Sequence, residues 1–257
     1  MQQFVSVIKS NVLIASNFYK IDFSWPVKED PMPGQFFTLR LSETTAPLLR
    51  RPFAFSGFDA SLQEASMIYQ VRGTSTKLLS ERRAGEELDI IGPLGNSFEY
   101  ANKKSTCLMV SGGIGIGPML FTGSYFQSNG HEVRFIFGCQ NKKYIPRKEI
   151  FKNVTPIFCT DDGSKGYKGT TVDYLNTVSK EVLNKSTIFA CGPLPMLKGC
   201  HDIAMKNNTP CQVSMEQIMA CGVGACVGCA IKTTSEPGYS LVCKDGPVFN
   251  SRLIQWI

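Results

Sequence analysis

Four cysteines near the end of the chain, Cys221, Cys226, Cys229 and Cys243, stand at C-x4-C-x2-C-x13-C in the stretch ACGVGACVGCAIKTTSEPGYSLVC. The first three match the plant-type spacing of a [2Fe–2S] cluster, whose irons are held by thiolates. Gly222, Gly224 and Gly228 let the backbone turn tightly enough to aim several sulfurs inward. Such a loop also directs N–H groups at sulfur, one lever on reduction potential. A structural zinc site usually presents paired C-x2-C knuckles, whereas here Cys221 sits five residues before Cys226 and Cys243 stands alone. A pair of disulfide loops would require an oxidising compartment.

Three further stretches carry chemistry. Gly112-Gly113-Ile114-Gly115-Ile116-Gly117-Pro118 follows the apolar run TCLMV and precedes a helix expected from Pro118 towards Asn129. A glycine turn there lets a pyrophosphate reach backbone N–H groups and a helix N-terminus. It fits the dinucleotide fingerprint loosely and no acid follows at the usual distance, so a tight structural turn is the alternative. Cys191-Gly192-Pro193-Leu194-Pro195-Met196 and Asp161-Asp162-Gly163-Ser164 also end apolar runs. Ligands of open α/β sheets lie beyond the carboxyl ends of the strands, so three such ends at one crevice predict a nucleotide site. Arg51-Pro52-Phe53-Ala54-Phe55-Ser56 could hold a phosphate by its arginine and a planar ring by its extended backbone; an edge-strand arginine beside core phenylalanines is the other reading. The two histidines, His131 and His201, form no acid–base constellation and read as surface residues.

The elements that must position these residues fall into three regions. Residues 1–100 read as short strands (FVSVI, YKIDFSW, QFFTLRL, PFAFSG, SMIYQV, ELDIIG) separated by turn formers, which predicts a closed antiparallel barrel or sandwich. Residues 101–210 alternate apolar runs (TCLMV, VRFIFG, TPIFCT, STIFACG) with helical or polar segments (YIPRKEIF, TVDYLNTVSK, PLPMLKGCHDIAMKN), predicting a parallel α/β sheet. Residues 211–257 form the cysteine module. The net charge of +6 is scattered over residues such as Lys103, Lys104, Lys142, Lys143, Arg147 and Lys148, with no run to track a phosphate backbone, which argues against nucleic acid. Hydrophobic residues at 43% and charged ones at 19% describe an ordinary globular chain. No apolar stretch is long enough to span a bilayer, and the first residues lack a secretory h-region. The six other cysteines (107, 139, 159, 191, 200, 211) are set largely in apolar runs, as free thiols of a reducing cytoplasm would be.

In this order and spacing, R-P-x-x, G-G-I-G-x-G-P, D-D-G-S, C-G-P-L-P-M and the cysteine box resemble the ferredoxin–NADP reductase superfamily. The ending, SMEQIMACGVGACVGCAIKT with LVCKDGPVF, is similar to electron transfer subunits of class 1B dihydroorotate dehydrogenase, and the likeness covers nearly the whole chain. It implies an antiparallel β-barrel FAD domain, an α/β parallel-sheet nucleotide-binding domain and a small C-terminal [2Fe–2S] module. Arg51, Pro52, Phe53 and Ala54 would meet FAD, with Ile68, Tyr69 and Gln70 as a second flavin-contacting strand and Ser75 and Thr76 at the FAD phosphates. Gly112, Gly113, Ile114, Gly115, Gly117 and Pro118 would frame NAD(H) with Cys191, Gly192 and Pro193; Cys221, Cys226, Cys229 and Cys243 would ligate the cluster. The chain departs from the family where Ala54 replaces a usual Ser, Gln70 a common Arg and Ser75 a common Gly. The resemblance further implies an FMN-containing catalytic partner in a hetero-oligomer, a heterotetramer, that owns the dihydroorotate site. NADH as the nicotinamide also rests on the family likeness; Lys142 and Lys143 keep NADPH open. Other readings are the small subunit of an NADH-dependent ferredoxin:NADP oxidoreductase or of a sulfhydrogenase, a non-enzymatic iron–sulfur sensor or carrier, and a zinc-stabilised scaffold.

Overall fold

The computed structural model describes residues 1–42, 44, 46–100 and 105–256. Lys103 and Lys104, with the expected boundary between the first two regions, lie outside the described residues.

The first region holds β1 (Gln2–Ala15), β2 (Phe18–Ser24), β3 (Phe36–Arg40), β4 (Arg51–Ala54), β5 (Gly57–Asp59), β6 (Glu64–Gln70), α1 (Thr74–Ser80) and β7 (Glu87–Leu94). The strands form one antiparallel sheet in the order β4-β3-β7-β1-β2-β6-β5. Its two edge strands are consecutive in the chain, so the sheet curls back on itself. PFAFSG, which reads as one strand in the sequence, is this corner. Phe55 N donates to Gln35 O at 3.3 Å and Ser56 N to Ser66 O at 2.7 Å, so each residue of the bend pairs with a different part of the sheet. Phe23, Trp25, Phe37 and Phe55 are fully buried inside. Edge-on ring contacts such as Trp25–Phe55 at 5.2 Å hold them, and each burial contributes about 1.5–3 kcal/mol.

The second region runs β8 (Thr106–Gly112), α2 (Ile116–Ser128), β9 (Val133–Cys139), β10 (Pro156–Thr160), β11 (Tyr167–Lys168), α3 (Thr171–Thr177), α4 (Lys180–Asn184), β12 (Ser186–Cys191) and α5 (Leu194–Asn207), and β13 (Cys211–Ser214), the first strand of residues 211–257, joins its sheet. β10, β9, β8, β12 and β13 pair in parallel, and the central strands β8 and β12 are buried along nearly their whole length, as continuous apolar runs require. The polar or helical segment YIPRKEIF, with the two lysines before it, forms 3-10 turns at Lys142–Tyr144 and Lys148–Phe151. α2 is buried on nearly every side, because it lies between the second sheet and the barrel strands β5 and β6. Asn129 and Gly130 end it, Gly130 at φ +83°.

The third region leaves the second sheet at β13 and returns to it. After β14 (Ala230–Lys232) and β15 (Tyr239–Leu241), a hairpin, β16 (Val248–Asn250) pairs antiparallel with β13. The cysteine loops therefore hang between two adjacent strands. Asn96, just beyond β7, fastens their base to the barrel: its Nδ2 donates to Asp245 O at 3.0 Å and Val248 O at 2.8 Å, and its Oδ1 accepts from Val248 N at 2.9 Å.

Candidate functional site

The four cysteines come together as two pairs. Cys229 and Cys243 are buried, with sulfurs 3.2 Å apart; Cys226 is exposed and Cys221 half-buried, with Cys226 N donating to Cys221 Sγ at 3.4 Å. Further N–H groups aim at sulfur: Val223 N at Cys221 (3.4 Å), Gly224 N at Cys243 (3.1 Å) and Cys243 N at Cys229 (3.4 Å). The Val223 N–H and its neighbours pull the Cys221 thiol below its ordinary value, while burial pushes Cys243 up. Gly222 and Gly224 take φ of +71° and +82°, and Val227 takes +58°, a strained choice for a β-branched residue. Among the described residues, no group of three or more His, Cys, Asp or Glu side chains stands close enough to hold a single metal ion. One zinc needs all four sulfurs at about 2.3 Å, whereas a two-iron cluster takes thiolates on both of its irons. Two pairs, one inner and one outer, with N–H groups on sulfur, fit the cluster.

The two glycine turns meet backbone to backbone. A Cβ on Gly115 would lie 2.0 Å from Cys191 O, and one on Gly192 would lie 3.0 Å from Gly112 N. Gly112 is also closed, by side-chain atoms of Met196 and Pro193 at 2.7 and 2.9 Å, whereas Gly113 (φ +54°) faces open space. Gly117 begins the contact with the barrel, 3.5 Å from Ile68 and Ser56 by the same measure, and Pro118 O accepts from Thr122 Oγ1 at 2.7 Å within α2. Ile114 is half-buried against the core beneath. Burial pushes the Cys191 thiol up to about 12, so it is neutral at physiological pH.

Beyond the carboxyl ends of β8, β9 and β10 opens a cavity of about 630 Å³ that Gly112, Gly113, Gly138, Asp161 and Pro193 line. Gln70 and Arg72 of the barrel side close it, with Arg72 Nε donating to Gln70 Oε1 at 2.6 Å. A second cavity of about 640 Å³ is walled by Arg51 and Pro52, by Gly192 and Pro193, and by Met215 to Met219 leading to the cysteines. Pro193 lines both. Arg50 is spent on Asp89, at 2.6 Å. Arg51 donates to the carbonyls of Leu49 (2.6 Å) and Arg50 and has no ion pair among the described residues, leaving it able to meet an anion.

The remaining sequence-derived residues scatter around this axis. Phe53 and Ala54 are half-buried on β4, and Phe53 meets Tyr69 edge-on at 6.2 Å. Ile68 packs beneath Gly117. Tyr69 turns into the barrel core and its hydroxyl donates to Asn11 Oδ1 at 3.0 Å, so its backbone alone is left to face a ligand. Thr76 Oγ1 accepts from Arg72 N (2.9 Å) and Gly73 N (3.1 Å), holding the turn beside half-buried Ser75. Met215 to Met219 carry no motif of their own, and only their place directly before Cys221 marks them as cavity wall. His201 Nδ1 is 3.1 Å from Ser251 Oγ and its ring stacks on Trp256, and His131 stacks on Tyr100, so both histidines pack as parts of the fold.

The family model for the iron-sulfur cluster binding domain of dihydroorotate dehydrogenase B matches residues 216–255. The electron transfer subunit of dihydroorotate dehydrogenase B (NAD(+)) from Caldanaerobacter subterraneus subsp. tengcongensis is 38% identical over 94% of this chain and 94% of its own. That of Bacillus pumilus is 36% identical over 98% and 97%. Among solved structures, a chain of the NADH-dependent reduced ferredoxin–NADP oxidoreductase superposes with a TM-score of 0.84 at 27% identity, covering 98% of this chain and 90% of that one. The ferredoxin reductase of carbazole 1,9a-dioxygenase shares the fold (TM-score 0.71, 17% identity, 81% and 67% covered). By identity sustained along almost all of both chains, the protein belongs to the family of electron transfer subunits of NAD(+)-dependent dihydroorotate dehydrogenase B.

Proposed function

We propose that this chain carries electrons between NAD(H) and a partner subunit that oxidises dihydroorotate to orotate, with FAD and a [2Fe–2S] cluster as its resident cofactors. The observation that carries the reading is the cavity touched by Arg51 and Pro52, by Gly192 and Pro193, and by the segment entering the cysteine loop. FAD supplies the conversion between the two-electron chemistry of a nicotinamide and the one-electron chemistry of an iron–sulfur centre.

The chain's own residues then divide the work. Arg51 offers its guanidinium to the FAD pyrophosphate, and Ser75 and the Thr76 turn offer hydroxyl and N–H groups to the same phosphates. The extended backbone at Pro52, Phe53 and Ala54 would meet the flavin, with Ile68, Gln70 and the backbone of Tyr69 as the second strand. Ala54 brings no hydroxyl, so any hydrogen bond from that position comes from the main chain. Gly112, Gly113, Ile114, Gly115, Gly117 and Pro118 form the nucleotide turn, and Cys191, Gly192 and Pro193 hold it from behind. The neutral Cys191 thiol adds no charge beside the nicotinamide. Cys221, Cys226, Cys229 and Cys243 hold the irons.

The outer pair, Cys221 and Cys226, would present the cluster to the partner. Cys226 is exposed, its neighbour Val227 exposes 48% of its surface, and Val223 earlier in the loop and Ile218 in the segment that enters it expose 39% and 85%. This apolar rim suits docking of an FMN-bearing catalytic subunit, two of each chain making a heterotetramer. Regions 1–100, 101–210 and 211–257 act as FAD, NAD and cluster units, with β13 and β16 stitching the third to the second. The six cysteines outside the cluster loop, unbridged and mostly buried, support a reducing cytoplasm, and no helix among the described residues is long and apolar enough to cross a membrane. The isolated chain is expected to reduce ferricyanide with NADH and to make no orotate until the partner is added. Orotate from the chain alone would overturn the assignment.

A further inference from the structure

Thr38, in the middle of β3, has a buried hydroxyl without a partner. The residue is 2% exposed, and its Oγ1 has no hydrogen-bond partner among the described residues. Side chains alternate along a strand. Phe37 and Leu39 fill the barrel core, so Phe36 and Thr38 face outward together. Phe36 packs in the same buried cluster as Cys229 and Cys243. The Thr38 methyl would stand 3.0 Å from a Cβ on Gly222, the residue after Cys221. Across the ladder Thr38 is paired with Pro52 of the cavity wall on one side and Ile91 on the other. The barrel thus places the Thr38 side chain, methyl first, beneath the cysteine loop, with its unpaired hydroxyl on the same carbon, between Pro52 and the cluster ligands. Burying such a group unpaired costs about 1–3 kcal/mol, and buried polar groups without partners are rare.

We propose that Thr38 Oγ1 donates a hydrogen bond to sulfur of the cluster held by the Cys221 loop and thereby raises the reduction potential of that centre. The inference rests on the cluster reading above. Reduction adds negative charge to the sulfurs, and a hydrogen bond to a charged acceptor strengthens with that charge. Thr38 is a positioning and tuning residue; it belongs to the barrel, so the FAD unit sets the energy level of its own electron acceptor.

The test uses the anaerobically purified complex with Thr38→Val, which keeps shape and removes the hydroxyl, and Thr38→Ser, which restores it. Iron and sulfide are counted, the cluster is titrated potentiometrically by electron paramagnetic resonance, and the flavin is titrated optically. Valine is expected to shift the oxidised-to-reduced ratio of the cluster about tenfold towards oxidised, about 59 mV more negative for one electron. Serine and the flavin should stay at the wild-type values. Should valine fail to keep the cluster, Thr38→Ala takes its place in the comparison. An unshifted cluster in a fully loaded valine or alanine variant, or a shift of the flavin alone, overturns the proposal. Wild-type protein without iron and sulfide would instead overturn the cluster reading itself.

Discussion

Within the GGIGIGP turn, two glycines that look equivalent should answer alanine in opposite ways. At Gly115 the new Cβ would sit 2.0 Å from Cys191 O, 2.5 Å from Cys191 C and 3.0 Å from Gly192 N. These are backbone atoms of a neighbouring turn, so no side chain can swing aside; the two turns must part. Forcing a methyl into a packed interior typically costs about 1–3 kcal/mol, and here the overlap is with main chain, which places the cost at about 2–3 kcal/mol or above. With about 2–4 °C per kcal/mol for a chain of this size, Gly115→Ala should melt about 4–12 °C lower. Because the parted turns line the nucleotide cavity, the KM for NADH in ferricyanide reduction should rise at least tenfold. At Gly117 the nearest atoms to a Cβ are 3.5 Å away, an ordinary contact, and the residue is helical. Alanine there should be neutral or gain up to about 1 kcal/mol from helix propensity. Differential scanning calorimetry and steady-state kinetics on both variants decide it. A Gly115→Ala chain that melts and binds NADH as wild type would refute the packing of the two turns as the basis of the site.

Arg51→Ala should lose FAD on gel filtration while Arg50→Ala keeps it, because Arg50 is committed to Asp89 and Arg51 is not; fluorescence of released flavin measures this. Asn96→Ala removes three hydrogen bonds between the barrel and the base of the cluster loop, at about 0.5–1.5 kcal/mol each, and should lower the melting temperature without touching a cofactor. Burial pushes Cys107 and Cys139 up to about 11 and Cys159 and Cys211 to about 12, from a reference of 9.0. The unfolded chain ionises first, so it binds fewer protons than the native state above pH 9. Stability should therefore be full below that pH and fall as pH rises towards 11–12, read as melting temperature against pH; a flat profile would contradict the burial.

Much of the architecture was legible because both sheets obey simple periodicities. The apolar runs 106–110, 133–138, 155–160 and 186–192 lie on β8, β9, β10 and β12, since a strand covered on both faces must be apolar throughout. The cysteine spacing carried the cluster for a similar reason: few chemistries need those residues at those intervals. Other features were invisible because they depend on partners distant in the chain. PFAFSG gives no local sign that the sheet turns a corner at Phe55, where Gln35 and Ser66 supply the hydrogen bonds. Nothing in SMIYQV tells that Tyr69 points into the core towards Asn11 while Gln70 faces a cavity. Gly115 and Gly117 differ through Cys191, 76 and 74 residues away in the sequence. Thr38 reads as an ordinary strand threonine until Gly222 is folded over it.

Electron transfer from a nicotinamide to iron inside this one chain is the step on which the other assignments depend. Its most direct test is anaerobic addition of NADH to the purified chain, following the flavin absorbance and the paramagnetic signal of the reduced cluster together. FAD, two irons and two sulfides per chain are expected, with flavin bleaching and cluster signal appearing in the same reaction. A colourless chain, or a flavin that NADH bleaches while a fully assembled cluster stays oxidised, would contradict it.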